Sequence, residues 1–285
     1  MSIAVENQVS RRYLPRLTVL GWIGVSIVLL WAVVAVFAPW LAPHRPGRIV
    51  DMNGVFGPIS GTFPFGTDYM GRDMLSRVID GARYTVGVSI AATMLASFAG
   101  TTLGLFAAVA GGWADNILSR IMDSIISLPS TIFALVIIAG LGSTVPVLIG
   151  VAAFLYTPGI YRVARAASVN VVVMDFIEVA RARGEGMGYL MLREVLPNMM
   201  PPVLTDFGVR FIYIMLLISG LGFLGLGVQP PNADWGTLVY ENLAGLGLGA
   251  PAVFLPAICI VSLALAVNLI VDSFSDLSKA GSSEL

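Results

Sequence analysis

Apolar residues in this chain gather into long blocks. Six of them lie at about 17–39, 84–111, 118–141, 145–166, 203–228 and 251–273, and each approaches the roughly 20 residues with which an α-helix crosses a bilayer. The third block is interrupted by Asp123, Pro129 and Ser130. The pattern predicts an all-α integral membrane protein with six transmembrane helices. One stretch breaks the apolar background. Between the fourth and fifth blocks, Asp175, Glu178, Glu185 and Glu194 stand among Arg181, Arg183 and Arg193. A short loop would suffice to turn the chain, so this compact charged island, which reads as helical, points to docking with something soluble.

Composition agrees with the pattern. At 57% hydrophobic and 12% charged, with a mean hydropathy of +0.87, the chain has the make-up of a membrane protein. The net charge of −1 supplies no basic cluster for nucleic acid. The single cysteine, Cys259, sits in an apolar run, where it is expected to be a small buried hydrophobe. His44 is the one histidine and reads as a surface residue, so no metal site is expected. The first apolar block follows Arg11, Arg12 and Arg16 and ends in Pro39-Trp40 without a small-residue cleavage site, so it reads as a retained helix.

An even number of spans puts both termini on one side, and the three tail arginines assign that side to the cytoplasm. The charged island then faces the cytoplasm too. Arg45, Arg48, Arg72, Arg77 and Arg83 lie on the outer side in this scheme, in a loop long enough for its charges to count less. The chain divides into an N-terminal tail, first helix and extracytoplasmic segment (1–80), a transmembrane core (81–277) with its polar loop at 175–200, and a C-terminal tail (278–285).

A protein that moves solutes uphill needs an energy source. No GxxxxGK[ST] phosphate loop occurs, since the lone Lys279 is followed by Ala280. The spans lack the mid-membrane ionisable groups of ion-coupled carriers: Asp123, Asp206, Arg210 and Asp272 fall near span ends, and Asp206 and Arg210, spaced i,i+4, read as a local pair. No convergent set of His, Cys or carboxylates marks a catalytic centre. Energy therefore arrives from another subunit, with the island as its point of entry. Small residues complete the picture: Gly100 and Gly104 form a GxxxG, and Gly220, Gly222, Gly225 and Gly227 crowd the end of the fifth span. Such residues let helix backbones approach closely in lipid.

The spacing Glu178-Val-Ala180, Gly184 and Leu196-Pro197 resembles the EAA loop of ABC-transporter permeases. Phe65-Gly-Thr-Asp-Tyr-Met-Gly-Arg-Asp-Met-Leu-Ser-Arg77, and Phe223-Leu-Gly-Leu-Gly-Val-Gln-Pro-Pro231 followed by Asp234-Trp-Gly236, are similar to the C-type permease subunit of dipeptide, oligopeptide and nickel importers. Together the motifs span about residues 60–277. The resemblance implies a MetI-like five-helix permease core after the first helix, and an EAA segment of two short cytoplasmic helices that rests in a groove on an ATPase. It assigns that coupling to Glu178, Ala180, Arg181, Arg183, Gly184, Leu196 and Pro197, with Ala180 and Gly184 permitting close approach and a turn, and Leu196-Pro197 ending the second helix. It further implies a second, B-type permease, two ATP-binding subunits carrying ATP and magnesium, an extracytoplasmic substrate-binding protein and surrounding lipid, in a bacterial inner membrane. This chain would hold no cofactor and no catalytic residue of its own.

Two departures from the motif stand out: Val179 replaces the second alanine, and Glu185-Gly186 follows the glycine where small residues are usual. The terminal Asp272-Ser-Phe-Ser-Asp276 keeps spaced aspartates without the Asp-Pro ending. Pro230, Pro231, Asp234 and Trp235, on the outer loop, are the candidate docking residues for a binding protein, and the tryptophans Trp22, Trp31, Trp40, Trp113 and Trp235 read chiefly as interfacial anchors. Two other classes compete with this reading: a carrier or channel working without ATP, and a membrane scaffold. The clean spans and the island speak against the carrier. The resemblance implies uptake of di- or oligopeptides, while the residues themselves do not select among peptides, opines, glutathione-like thiols, sugar conjugates and nickel chelates.

Overall fold

The computed structural model describes residues 18–45, 47–50 and 54–282, the last eight by backbone alone. Arg11, Arg12 and Arg16, and the side chains of Asp276 and Lys279, lie outside the described residues. The elements are α1 (Val19–Leu41), α2 (Met74–Ala110), α3 (Gly112–Ile126), α4 (Ser130–Leu141), α5 (Val145–Val172), α6 (Asp175–Ala182), α7 (Met187–Tyr189), α8 (Leu196–Phe223), α9 (Trp235–Glu241) and α10 (Pro251–Ser282). A π-helical turn, Leu190–Val195, joins α7 to α8, and a 3₁₀ turn, Leu243–Leu248, follows α9.

Five of the six expected spans are single helices long and apolar enough to cross a membrane. The third differs: α3 and α4 meet at an angle of 81°. Pro129 at the break has no N–H for a helix ladder, and its ring pushes Leu128 out of the helical region. α3 is amphipathic, turning Met122 and Leu118 toward Tyr161 of α5 and Ala107 of α2. α2 starts at Met74, well before the expected 84, because Asp73 caps it by accepting the Ser76 N–H at 3.2 Å. The helix therefore runs straight through the expected division at residue 80.

The bundle is organised around the pairing of α2 with α5. A methyl group at Gly100 would stand 2.8 Å from the Thr157 carbonyl oxygen, and one at Gly104 would stand 2.7 Å from that of Tyr161. The GxxxG thus brings backbone onto backbone, as small residues do between helices in lipid. α8 closes the same core with Ile214, Ile218 and Leu221 against Leu148 and Ala152 of α5. α1 lies along α10, tied by the Trp31 indole N–H donating to Ser262 Oγ at 2.9 Å and by Thr18 and Ser273 hydroxyls 2.6 Å apart. Cys259 is buried among Met215, Leu263 and Val267, as its apolar setting implied.

At the end of the bundle remote from the charged island, α9 folds back into the protein. Trp235 is wholly buried; its indole N–H donates to the Val78 carbonyl at 3.0 Å, and its ring meets Trp31 edge-on at 4.7 Å. Neither Trp31 nor Trp235 is an interfacial anchor, whereas Trp22, Trp40 and Trp113 are exposed. A buried ionic cluster locks α9 to the segment before α2. Arg72 Nε donates to Asp68 at 2.6 Å, and Arg72 and Arg77 both reach Glu241. The Tyr69 N–H donates to Asn242 at 3.1 Å. Burial pushes the Glu241 carboxyl up, while Arg77 and Arg72 pull it down. Two of the five arginines that seemed misplaced outside are thus neutralised inside the protein. His44 is half-buried, with Nδ1 3.1 Å from Asp73.

Gly104→Leu is expected to destabilise the bundle by about 1–3 kcal/mol through overpacking at the α2–α5 seam, read as a lowered thermal midpoint in detergent. Gly140→Leu, where a side chain meets open space, should leave the midpoint unchanged. Glu241→Ala strands the buried Arg77 and should cost roughly 3–5 kcal/mol, with protease sensitivity appearing near α9. Arg77→Met combined with Glu241→Leu should recover most of the loss in the same assay.

Candidate functional site

α6 is the island's first helix, and its eight residues are divided by face. Ile177 and Ala180, three apart, are buried against Val171 of α5, Leu190 and Val195 of the π turn, Met199 of α8, and Leu105 and Val109 of α2. Glu178, Arg181 and Arg183 point outward. Asp175 and Glu178 occupy the first turn and Arg181 the last, which suits the helix dipole at both ends.

Gly184 ends the helix with φ at +81°, a left-handed conformation that glycine adopts without a Cβ penalty. Its N–H donates to the Arg181 carbonyl at 2.9 Å, and the Glu185 N–H reaches back to Ala180 at 3.2 Å. This pair of bonds is a Schellman motif. Around Gly184 itself a side chain would meet open space, so the constraint there is the turn.

Two expectations for this segment need correction. Ala180 is not at an outer surface; it is 1% exposed, and its small size serves packing within the chain. Leu196-Pro197 does not end a second helix. The chain from Met187 to Phe223 is one continuous helix, with Pro197 exposed in the first turn of α8 and Leu196 packed at the edge of the α6 cluster. The π turn explains how: the Leu196 N–H bonds to the Met191 carbonyl, five residues back. This widened register passes into α8 at a proline whose missing N–H would otherwise break the ladder.

The outward face of α6 also carries an apolar part. Val173, Phe176 and Val179, three apart, are 78%, 38% and 58% exposed, and Met174 is exposed beside them. The signal was available, since a helix that buries Ile177 and Ala180 must turn Phe176 and Val179 away. An exposed apolar patch beside charged residues has the make-up of a protein contact.

At the opposite end, Asp234 and Trp235 are fully buried, so neither side chain can meet another protein. Asp234 caps α9 instead. It accepts from the Thr237 N–H at 3.0 Å, the Thr237 hydroxyl at 2.8 Å and the Val228 N–H at 2.8 Å. Burial pushes its carboxyl up, and these bonds pull it back down. Gly222 and Gly227 line this pocket; a methyl on Gly222 would stand 2.7 Å from the Thr237 nitrogen. Pro230 and Pro231, joined by a cis peptide bond, remain exposed with Gln229.

Residues 100–279 match the family described as binding-protein-dependent transport system inner membrane component. The di/tripeptide transport system permease protein DppC of Pseudomonas aeruginosa (strain UCBPP-PA14) is 34% identical over 259 residues, covering 89% of this chain and 85% of that protein. The dipeptide transport system permease protein DppC of Alkalihalophilus pseudofirmus is 32% identical, with 90% and 84% covered. The glutathione transport system permease protein GsiD of Escherichia coli O6:K15:H31 is also 32% identical, with 87% and 82% covered. An all-helical bundle of five spans and a bent sixth, matched over its core and aligned along most of its length with such permeases, belongs to the family of binding-protein-dependent transport system inner membrane components.

Proposed function

We propose that this chain is one of two permease subunits of an ABC importer for di- or tripeptides or a related small solute such as glutathione, and that α6 receives the force of ATP hydrolysis. The observation that carries this reading is the two-faced character of α6. Its inner face is seated, through Ile177 and Ala180, in a buried cluster centred on the π turn, which itself packs against α2, α5 and α8. Its outer face offers Phe176, Val179, Glu178, Arg181 and Arg183. A partner gripping the outer face would move three spans at once.

In this reading the island end lies in the cytoplasm with both termini, and an ATP-binding subunit, carrying ATP and magnesium, docks on α6. A second, B-type permease brings the other ATP-binding subunit and packs against the face of α5 and α8 on which Phe154, Tyr213 and Leu216 are exposed. Closure of the ATPases around ATP pulls the two coupling helices together and tilts the spans between inward- and outward-open states. At the extracytoplasmic end the binding protein meets the exposed Gln229–Pro231 surface. Asp234 and Trp235 hold that surface from beneath. The substrate class follows the relatives, two of them permeases for di- or tripeptides and one for glutathione.

Phe176→Ser combined with Val179→Asp is expected to cut the ATP-binding subunit co-purifying with the permease to about a tenth of wild type, a loss of roughly 1.4 kcal/mol or more in association. Both side chains are exposed, so the thermal midpoint of the isolated permease should not change. Glu178→Arg should act in the same direction. Gly184→Val forces a branched side chain into a left-handed turn at a cost of about 1–3 kcal/mol and should uncouple uptake from ATP hydrolysis. Undiminished ATPase association and uptake in all three variants would remove α6 from the coupling role.

A further inference from the structure

Arg210 is half-buried and differs from the buried Arg72 and Arg77 in what its guanidinium touches. Its Nε donates to Asp206 at 3.2 and 3.3 Å, one turn away on α8. Its Nη1 and Nη2 donate to no described residue. They lie over Gly159 of α5, where a methyl group would stand 2.7 Å from Nη1 and 3.0 Å from Nη2. Glycine at that position leaves the space in which the fork sits. Counting along α8, Arg210 lies about 20 Å from Phe223 and toward the island end of the span.

The fork opens into a cavity of about 480 Å³ between α5, α8 and the break between α3 and α4, lined by Arg210, Arg162, Tyr156, Gly159 and Ser130 among apolar residues. Two guanidinium groups and no carboxylate face this space. Arg162 pairs with Asp123 through Nε and Nη2 on the exposed side, while Arg210, paired through Nε alone, turns both Nη groups toward Gly159. The Tyr156 hydroxyl is engaged with the Tyr213 carbonyl at 3.2 Å. A second cavity of about 780 Å³, lined by Asp206, Thr205 and Pro201, continues toward the island end and shares Val163 with the first. The Asp206–Arg210 pair thus stands between two cavities on the face of α5 and α8.

Unused donors of a half-buried guanidinium beside a cavity call for an acceptor, and a parallel pair of N–H groups matches a carboxylate in bidentate geometry. We propose that Arg210 receives the carboxylate of the transported solute as it passes along the α5–α8 face, and that Gly159 keeps the space in which it does so. This rests on the importer reading above. It adds the chemical class, a small solute with a free carboxylate, and places its contact on this chain.

The test uses the complete importer, with both permeases, both ATP-binding subunits and the binding protein, in liposomes, and measures uptake of radiolabelled alanyl-alanine and of glutathione. Arg210→Gln should lower uptake by about tenfold or more, while ATP hydrolysis stimulated by the binding protein stays within about twofold of wild type. Arg210→Lys, which keeps the charge without the fork, should fall between. Gly159→Ala crowds the guanidinium without removing it and should also lower uptake, which keeps the test decisive if Arg210→Gln does not assemble. The exchange Asp206→Arg with Arg210→Glu keeps an ion pair one turn apart on α8 and should not recover transport. Recovery by this exchange would make the pair a helix fastener and overturn the proposal. So would wild-type uptake in Arg210→Gln or Gly159→Ala, or a wild-type complex that hydrolyses ATP and imports neither probe. Absence of any associated ATPase would instead sink the importer reading itself.

Discussion

Between helices surrounded by lipid, apolar side chains gain little by leaving the solvent, so close packing must supply the cohesion. The seam between α2 and α5 meets this requirement where Gly100 and Gly104 set one backbone against the other. Much else in the bundle hangs from this seam. The island end of α2, through Leu105 and Val109, and that of α5, through Ala164 and Val171, join the cluster in which α6 and the π turn are seated. The opposite end of α2, through Met74, Val78 and Ala82, forms the wall on which Trp235 rests. Separating the two helices would loosen both ends of the protein together.

Three local devices keep the island end stiff. Two buried side chains, Ile177 and Ala180, fix the roll of α6. The Schellman bonds at Gly184 fix where it stops. The π turn at Leu190–Val195 then carries the chain into α8 without an intervening loop. A displacement of α6 therefore reaches α8 through both packing and continuous backbone. A flexible linker at Leu196-Pro197, as a proline-terminated second helix would have provided, would have absorbed part of that displacement.

Much of this was legible in the sequence. Span length and apolar block structure gave five of the helices directly, because crossing a bilayer fixes the number of residues needed. The polar island announced itself by contrast, and the GxxxG by spacing. Three things were hidden. The bend between α3 and α4 was foreshadowed by Asp123 and Pro129, but its 81° angle depends on how α3 lies against Tyr161. The continuity through Pro197 depends on a π register that no single residue declares. The burial of Asp234 and Trp235 depends on partners far away in sequence, Thr85 and Val78 among them. Loop position alone made those two residues look exposed. Likewise Arg72 and Arg77 violated the charge rule until Glu241, more than 160 residues away, was placed beside them.

The distribution of ionic pairs separates parts that hold still from parts free to move. At the far end Asp68, Arg72, Arg77 and Glu241 are all nearly buried and share contacts, so displacing any one strands another in a medium that solvates it poorly. That end resists deformation. The island end resists it through packing at α6. Flexing then costs least between the two, where α4 exposes Ile132, Val136 and Leu141 and meets α3 at a proline break. This break borders the cavity into which Arg210 opens. A tilt imposed on α5 and α8 from below, against a fixed α9 above, would therefore be taken up where the Arg210 guanidinium lies. Access to that group would change with the tilt, as alternating exposure of a solute site requires.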